Sequence, residues 1–296
     1  MENDTFRGCF VALVTPFQEN GQVDEIALKE LVNWQVASGI DGIVVCGTTG
    51  ESVTLNEQEY RQVVQLVVGE VQGRVPVIAG AGTNNTDKTI RMAQICQEIG
   101  VDAILSVTPY YNKPTQKGLI EHYKAVAEAI SLPVILYNVP GRTGVNIKAE
   151  TTLELAQISN IRAVKEASGD LTQIMTILRD RPQGFAVLSG DDVLTLPIIA
   201  LGGEGVISVI ANQIPAEFSR LVHAALNGDL DTARILQYKY LKLMQLNFIE
   251  TNPIPVKTSL AAMGKIRDVF RLPLVPMTSQ NRETLLNELK KLQLIR

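Results

Sequence analysis

Histidine is scarce in this chain. His122 and His223 are the only two, and neither stands near another cluster of metal-ligand residue types. That argues against a histidine-built metal centre and against a Ser-His-Asp triad. Cysteine is almost as rare: Cys9, Cys46 and Cys96 form no C-x-x-C pair and are odd in number. Free thiols in a reducing cytoplasm are the expectation. No run of about 18 or more apolar residues is present to span a membrane. Residues 1–8 carry no apolar signal core, which again favours the cytoplasm. Nor is there a basic excess. Lys and Arg number 27 against 31 Asp and Glu, for a formal charge of −4, and no basic cluster occurs, so nucleic acid is not an expected partner. Low-complexity segments and obvious linkers are absent as well.

What the chain does have is alternation. Short runs rich in Val, Ile and Leu, without polar alternation, fall at 8–14, 42–46, 75–79, 103–107, 134–138, 161–165, 185–189 and 205–209. Such runs read as parallel strands buried on both faces. Between them lie helical patterns such as 24–37, 56–71, 86–99 and 117–129, with apolar residues spaced three and four apart. Asp24, Asn56 and Thr86 are expected N-caps, and Gly39 and Gly100 fit the stop position. Eight β/α units in about 225 residues predict an α/β fold of the (β/α)8 TIM-barrel type. An open doubly wound sheet is the alternative, but no G-x-G-x-x-G follows the first strand. Beyond Gly228 no strand is expected. Helices at 230–246, 253–263 and 279–292, broken by Asn252-Pro253, Pro273 and Pro276, form a C-terminal helical appendage. The expected division is a barrel at 1–228 and a helical region at 229–296.

In a barrel of this kind the chemistry collects at the C-terminal ends of the strands. Lys165 stands at one such end, just before the break Ala167-Ser168-Gly169. Desolvating an ammonium is costly unless it is paired or neutralised. A lysine there is therefore either snorkelling to water or kept as a free amine for chemistry. The other strand ends supply Thr48 and Thr49, Tyr110 and Tyr111, Tyr137, Arg142 and Gly190. A barrel needs no such set on one rim for stability. The segment 47–50 lacks the G-K-[ST] of a phosphate loop, and backbone N–H groups with two Thr hydroxyls suit a small carboxylate instead. Asp191-Asp192, without further ligands, reads as a helix N-terminus rather than a cation site. Nothing here implies a metal.

The segments G-T-T-G-E (47–51), P-Y-Y-N (109–112), Y-N-V-P-G-R-T-G (137–144) and V-K-E-A-S-G-D (164–170) together resemble the dihydrodipicolinate synthases. These are pyruvate-dependent class I aldolases of the N-acetylneuraminate lyase superfamily. The resemblance runs in order over the whole chain. Arg142 after Pro140-Gly141 narrows it to the synthases, since the neuraminate lyases typically lack an arginine there. It implies that Lys165 forms a Schiff base with pyruvate, and that the enamine then attacks aspartate 4-semialdehyde to give 4-hydroxy-tetrahydrodipicolinate, on the way to diaminopimelate and lysine. The attack needs a neutral amine, which desolvation at the strand end favours. Tyr137, Thr48 and Tyr111 would relay protons, with Tyr111 reaching across a dimer interface to a neighbour's site. Arg142 would grip the semialdehyde carboxylate, and Thr49, Gly190 and the backbone at Ile207 would line the pocket. No cofactor is needed, because the imine is the electron sink. The resemblance also implies a homotetramer, a dimer of dimers.

Other readings share part of this set. A 2-keto-3-deoxy sugar-acid aldolase would use Lys165, Tyr137 and Thr48 but differ in its need for Arg142. A pyridoxal-phosphate lysine would require a phosphate cradle, which is missing. A non-catalytic barrel would bind pyruvate without turnover. The resemblance further carries a lysine-inhibition site, matched here at Ser52, Leu55, Asn84 and Tyr110. Glu57 and Tyr60 stand where inhibited enterobacterial relatives have histidines, and Lys88 where they have a glutamate. A cation facing the effector's ammonium reverses the sign of that contact, so weak or absent inhibition by free lysine is expected.

Overall fold

Strands buried on both faces need backbone partners on both edges, and closure of the sheet supplies them. The computed structural model describes residues 6–296. Eight strands pair in parallel and in sequence order: β1 (Gly8–Ala12), β2 (Gly42–Val45), β3 (Val77–Gly80), β4 (Ala103–Val107), β5 (Val134–Asn138), β6 (Ile161–Glu166), β7 (Ala186–Ser189) and β8 (Gly205–Ser208). β8 returns to β1, with Gly8 opposite Gly205. That seam requires glycine. Gly205 has a φ of +148°, and a Cβ there would lie 1.9 Å from the Gly8 carbonyl oxygen.

All eight expected strands are present, with ends shifted by a residue or two. β2 stops before Cys46, whose φ of +53° takes the chain out of the extended region. β3 starts after Pro76, which has no N–H to give, although its carbonyl still accepts from Ile43 N at 3.0 Å. Asp24 caps the helix Glu25–Ala37, and Asn56 caps Glu57–Val71 through a capping box with Glu59. The expected cap at Thr86 is corrected: Asn85 accepts from Lys88 N and caps Thr86–Ile99, while the Thr86 hydroxyl bonds His122 Nδ1 at 2.9 Å. Gly100, at φ +89°, ends that helix as expected.

Two apolar layers follow from strand parity. Side chains such as Phe10, Val44, Ile78, Leu105, Ile135, Ala163 and Leu188 fill the barrel interior. The alternate set packs outward against the ring of helices. On β6 this parity sends Ala163 and Lys165 inward, and Val164 and Glu166 towards the helices. Beyond the barrel, the helix Leu230–Leu246 packs on Pro215–Leu226, and Ile254–Ala262 packs with Ser279–Lys291. The tail is tied to the barrel loops by Gln237 Nε2 to Val193 O (2.8 Å) and Asn247 Nδ2 to Gln213 Oε1 (2.8 Å). No helix among the described residues is long and apolar enough to cross a membrane.

Candidate active site

The register of β5 and β6 puts Tyr137 beside Lys165. The lysine is only 6% exposed, and its Nζ sits 4.2 Å from the centroid of the Tyr137 ring. No carboxylate or hydrogen-bond acceptor engages that amine among the described residues. A second buried lysine, Lys257, is ion-paired to Glu51, so an unpartnered buried amine is not this fold's habit. The stem of Lys165 has room because position 190 is glycine. A Cβ there would lie 3.1 Å from Lys165 Cε and 2.7 Å from Ala167 Cβ.

The neighbouring acid is held away from the amine. Glu166 is buried on the opposite side of the strand, accepting from Asn138 Nδ2 (3.0 and 3.2 Å), Ser168 N (2.8 Å) and Gln173 Nε2 (3.1 Å). Burial raises its pKa, with those donors opposing. Its position steadies the end of β6 without pairing Lys165.

A cavity of about 160 Å³ opens over Lys165, walled by Thr48, Thr49, Tyr137, Val139, Arg142, Gly190 and, from the tail, Phe248 and Asn252. It continues past Thr48, Tyr137 and Arg142 into a wider cavity of about 720 Å³. In the 47–51 turn, the N–H groups of Gly50 and Glu51 bond the carbonyls of Gly47 and Thr48, both at 3.1 Å. The Thr48 and Thr49 N–H groups have no such partner among the described residues, which leaves two donors for an anion. Thr15 Oγ1 holds the turn by donating to Gly50 O at 2.7 Å.

Asn252 is the residue that the sequence reading passed over. Its Nδ2 donates to Thr49 Oγ1 (3.0 Å), and its carbonyl accepts from Arg142 Nη2 (3.2 Å). One tail residue thereby links the anion turn to the arginine. Its only signal in the sequence was the break at Asn252-Pro253, which marks a helix end and says nothing of where that end docks. Asp191 caps the single turn Asp192–Leu194 by accepting from Val193 N, as expected for a helix start. Asp192 is buried and accepts from Val209 N (3.2 Å) and Ile210 N (2.8 Å), fixing the end of β8. Burial pushes its carboxyl up to about 6.

Two expected residues are not among those that line the cavity. The Ile207 side chain belongs to the packed barrel interior, and Val209, two residues on, lines the cavity. Tyr111 is 89% exposed, adopts a φ of +72°, and lines neither cavity. Within one chain the hydroxyl series ends at Tyr137 and Thr48.

The wider cavity gathers Ser52, Leu55, Glu57, Tyr60, Lys88 and Tyr110, but not Asn84, whose carbonyl takes the Asn112 side chain at 3.0 Å. Glu57 is not free to turn to an incoming ammonium. Arg91 grips both its oxygens at 2.9 Å, and this bond holds its carboxyl below the usual range. The Tyr60 hydroxyl is directed inward to Gly80 O at 2.9 Å. Lys88 and Arg91 thus face an effector ammonium with no unpaired acid between them. Losing one charge-assisted bond costs about 1.5–3 kcal/mol, a factor of about ten or more in affinity. Initial rates across a lysine titration should stay flat below about a millimolar, and clear inhibition there would show the charge argument wrong.

Comparison with known proteins agrees along the chain's length. Residues 5–292 match the Dihydrodipicolinate synthetase family. A 4-hydroxy-tetrahydrodipicolinate synthase of Koribacter versatilis is 55% identical over 94% of this chain and 93% of its own. A crystal structure of the chloride-inhibited dihydrodipicolinate synthase from Acinetobacter baumannii, complexed with pyruvate, superposes with a TM-score of 0.97 at 44% identity, covering 98% of this chain and 100% of that one. A structure described as the first monomeric dihydrodipicolinate synthase variant gives 0.96 at 43%, over 98% of each chain. With a family match spanning nearly every residue and a lysine site of this geometry, the chain belongs to the dihydrodipicolinate synthetase family.

Proposed function

We propose that this protein condenses pyruvate with aspartate 4-semialdehyde to give 4-hydroxy-tetrahydrodipicolinate, a lyase of the class I aldolase type acting in lysine and diaminopimelate biosynthesis. The observation that carries the reading is the buried, unpartnered Nζ of Lys165 at the floor of the smaller cavity. That cavity, of about 160 Å³, leaves room for a small ligand such as a three-carbon keto acid. Lys165 Nζ attacks the ketone carbon, water leaves, and a protonated imine forms. The imine withdraws the electrons left when the pyruvate methyl loses a proton, giving an enamine. The enamine carbon attacks the aldehyde of the semialdehyde. The amino group of that second substrate then adds to the imine carbon and displaces Lys165, closing the ring. Thr48 and Thr49 hold the pyruvate carboxylate with their free N–H groups. Tyr137, with Thr48 beside it, moves the protons. The barrel of residues 1–228 is the catalytic unit, and 229–296 completes its rim.

Arg142 lines both cavities, where its fork suits the carboxylate of the semialdehyde. Arg142→Ala should raise the KM for the semialdehyde by about 10- to 100-fold while leaving pyruvate trapping intact. An unchanged dependence on semialdehyde would make Arg142 structural and favour a sugar-acid substrate. The test of the whole reading is borohydride reduction with pyruvate, mass mapping of the modified residue, and an activity assay with the semialdehyde.

Tyr111 projects outward from the same rim and serves the site of a second copy, in a cytoplasmic homotetramer built as a dimer of dimers. Chains carrying Tyr111→Phe and chains carrying Lys165→Ala, mixed and reassembled, should regain part of the activity. No regain, or a fully active monomer in sedimentation, would assign Tyr111 another role.

A further inference from the structure

The Lys257–Glu51 ion pair lies outside the chemistry described above, yet it is the most deeply buried pair of charges among the described ones. Lys257 is 0% exposed on the helix Ile254–Ala262, and Glu51 ends the anion turn. The ammonium lies 4.3 Å from the ring centroid of Phe17 and 5.0 Å from that of Phe270. Glu51 adopts a φ of +51°, a left-handed conformation that a non-glycine residue enters only when its surroundings impose it. Its second oxygen accepts from Arg271 N at 3.4 Å. The Arg271 guanidinium, 4.5 Å over the Phe17 ring, bonds Gly21 O, Thr54 O and both oxygens of Glu59. Burial lowers the Lys257 pKa, with Glu51 opposing.

A buried ion pair is a poor stabiliser, because desolvation offsets most of the Coulomb attraction and apolar residues of similar volume often do as well or better. What it does fix is geometry: one atom against one atom. The placement of this pair is specific. Glu51 stands two residues after Thr49, and Lys257 five residues after Asn252. The same two segments are joined again by Asn252 Nδ2 to Thr49 Oγ1, and Asn252 O holds Arg142. Two links in parallel leave the turn and the tail one relative position.

We infer that Glu51 and Lys257 are positioning residues for the reaction: their ion pair sets the anion turn, and through Asn252 the Arg142 guanidinium, against the Lys165 amine. This rests on the reaction proposed above. Without the pair the protein folds, but Thr48, Thr49 and Arg142 no longer share one placement relative to Nζ.

The test uses the full-length protein with Glu51→Leu and Lys257→Met together, and Glu51→Gln as a milder companion. The double variant should melt at or above the parent's temperature, as an apolar replacement of a buried pair allows. Its pyruvate concentration for half-maximal borohydride trapping should rise about tenfold, and its kcat should fall by about 10- to 100-fold, the scale of an ångström-sized misplacement. A folded double variant with parental trapping, kcat and KM would overturn the inference and leave the pair a packing device. Should the double variant not fold, Glu51→Gln decides, assayed well below its own melting temperature, which the unpaired Lys257 ammonium lowers. A tenfold loss in trapping and kcat of the folded variant supports positioning, and unchanged kinetics overturns it. Parental turnover with both substrates, run alongside, tests the reaction itself. Were it absent, the trapping measurement, which needs pyruvate alone, would still read the pair.

Discussion

Lys165→Ala should abolish borohydride trapping with pyruvate and lower turnover by about 10³-fold or more, the scale seen when a covalent nucleophile is removed. The expectation rests on chemistry that no neighbour can replace. An aldol condensation through pyruvate needs an electron sink for the methyl carbanion, and in the proposed reaction the protonated imine of Lys165 is that sink. Lys257 cannot substitute. It is as buried as Lys165, but Glu51 holds its ammonium and it lines neither cavity. Lys113 is exposed on a loop and Lys88 is exposed in the first turn of the helix Thr86–Ile99, and neither lines the smaller cavity. The alanine change removes a side chain that nothing else bonds, so melting should move little. Trapping that survives the substitution, or a borohydride adduct mapped to another lysine, would remove the assignment.

Tyr137→Phe should lower kcat by about 10²–10⁴-fold, the range of one positioned proton donor, and change the affinity for pyruvate far less. The ring is packed over the Lys165 amine at 4.2 Å and is 7% exposed, so phenylalanine fills the same space and keeps the amine–ring contact. Only the hydroxyl is lost. Thr48→Val makes the matching change at a second hydroxyl that lines the cavity, and its effect should fall in the same sense. If the two hydroxyls act in one relay, as proposed, the double variant should be less damaged than the product of the single losses. A Tyr137→Phe enzyme with parental kcat but a raised KM for pyruvate would mean that the phenol binds substrate and moves no proton.

Much of the site was legible before any coordinates because a parallel barrel projects chain order onto one rim. Each strand end delivers its residues to the same side. Lys165, Tyr137, Thr48, Thr49, Arg142 and Gly190 could therefore be collected by reading eight apolar runs and looking just beyond them. Their roles were read from the residue types and the resemblance, and the shared cavity now places these six together. The resemblance gave the backbone at Ile207 a lining role; its side chain packs in the barrel interior, and Val209, just past the end of β8, lines the cavity. The cap of the third helix slipped by one residue for a local reason: Asn85 and Thr86 are both capping types, and His122, 36 positions on, takes the Thr86 hydroxyl.

The amino-acid order by itself determined the barrel and the strand ends that form the rim, and put Lys165 at one of them. These follow from periodicity, a local property, while the choice between a snorkelling lysine and a reacting one came from the resemblance. Only the tertiary structure decided that the tail enters the site. Asn252 bonds a threonine 203 positions away, and Lys257 pairs with a glutamate 206 positions away. It also decided that Glu57 belongs to Arg91, and that of the two buried lysines Lys165 is the one with no acid partner among the described residues. No pattern along a chain encodes which of several possible partners a side chain meets once helices dock, because that choice depends on packing between segments far apart in sequence.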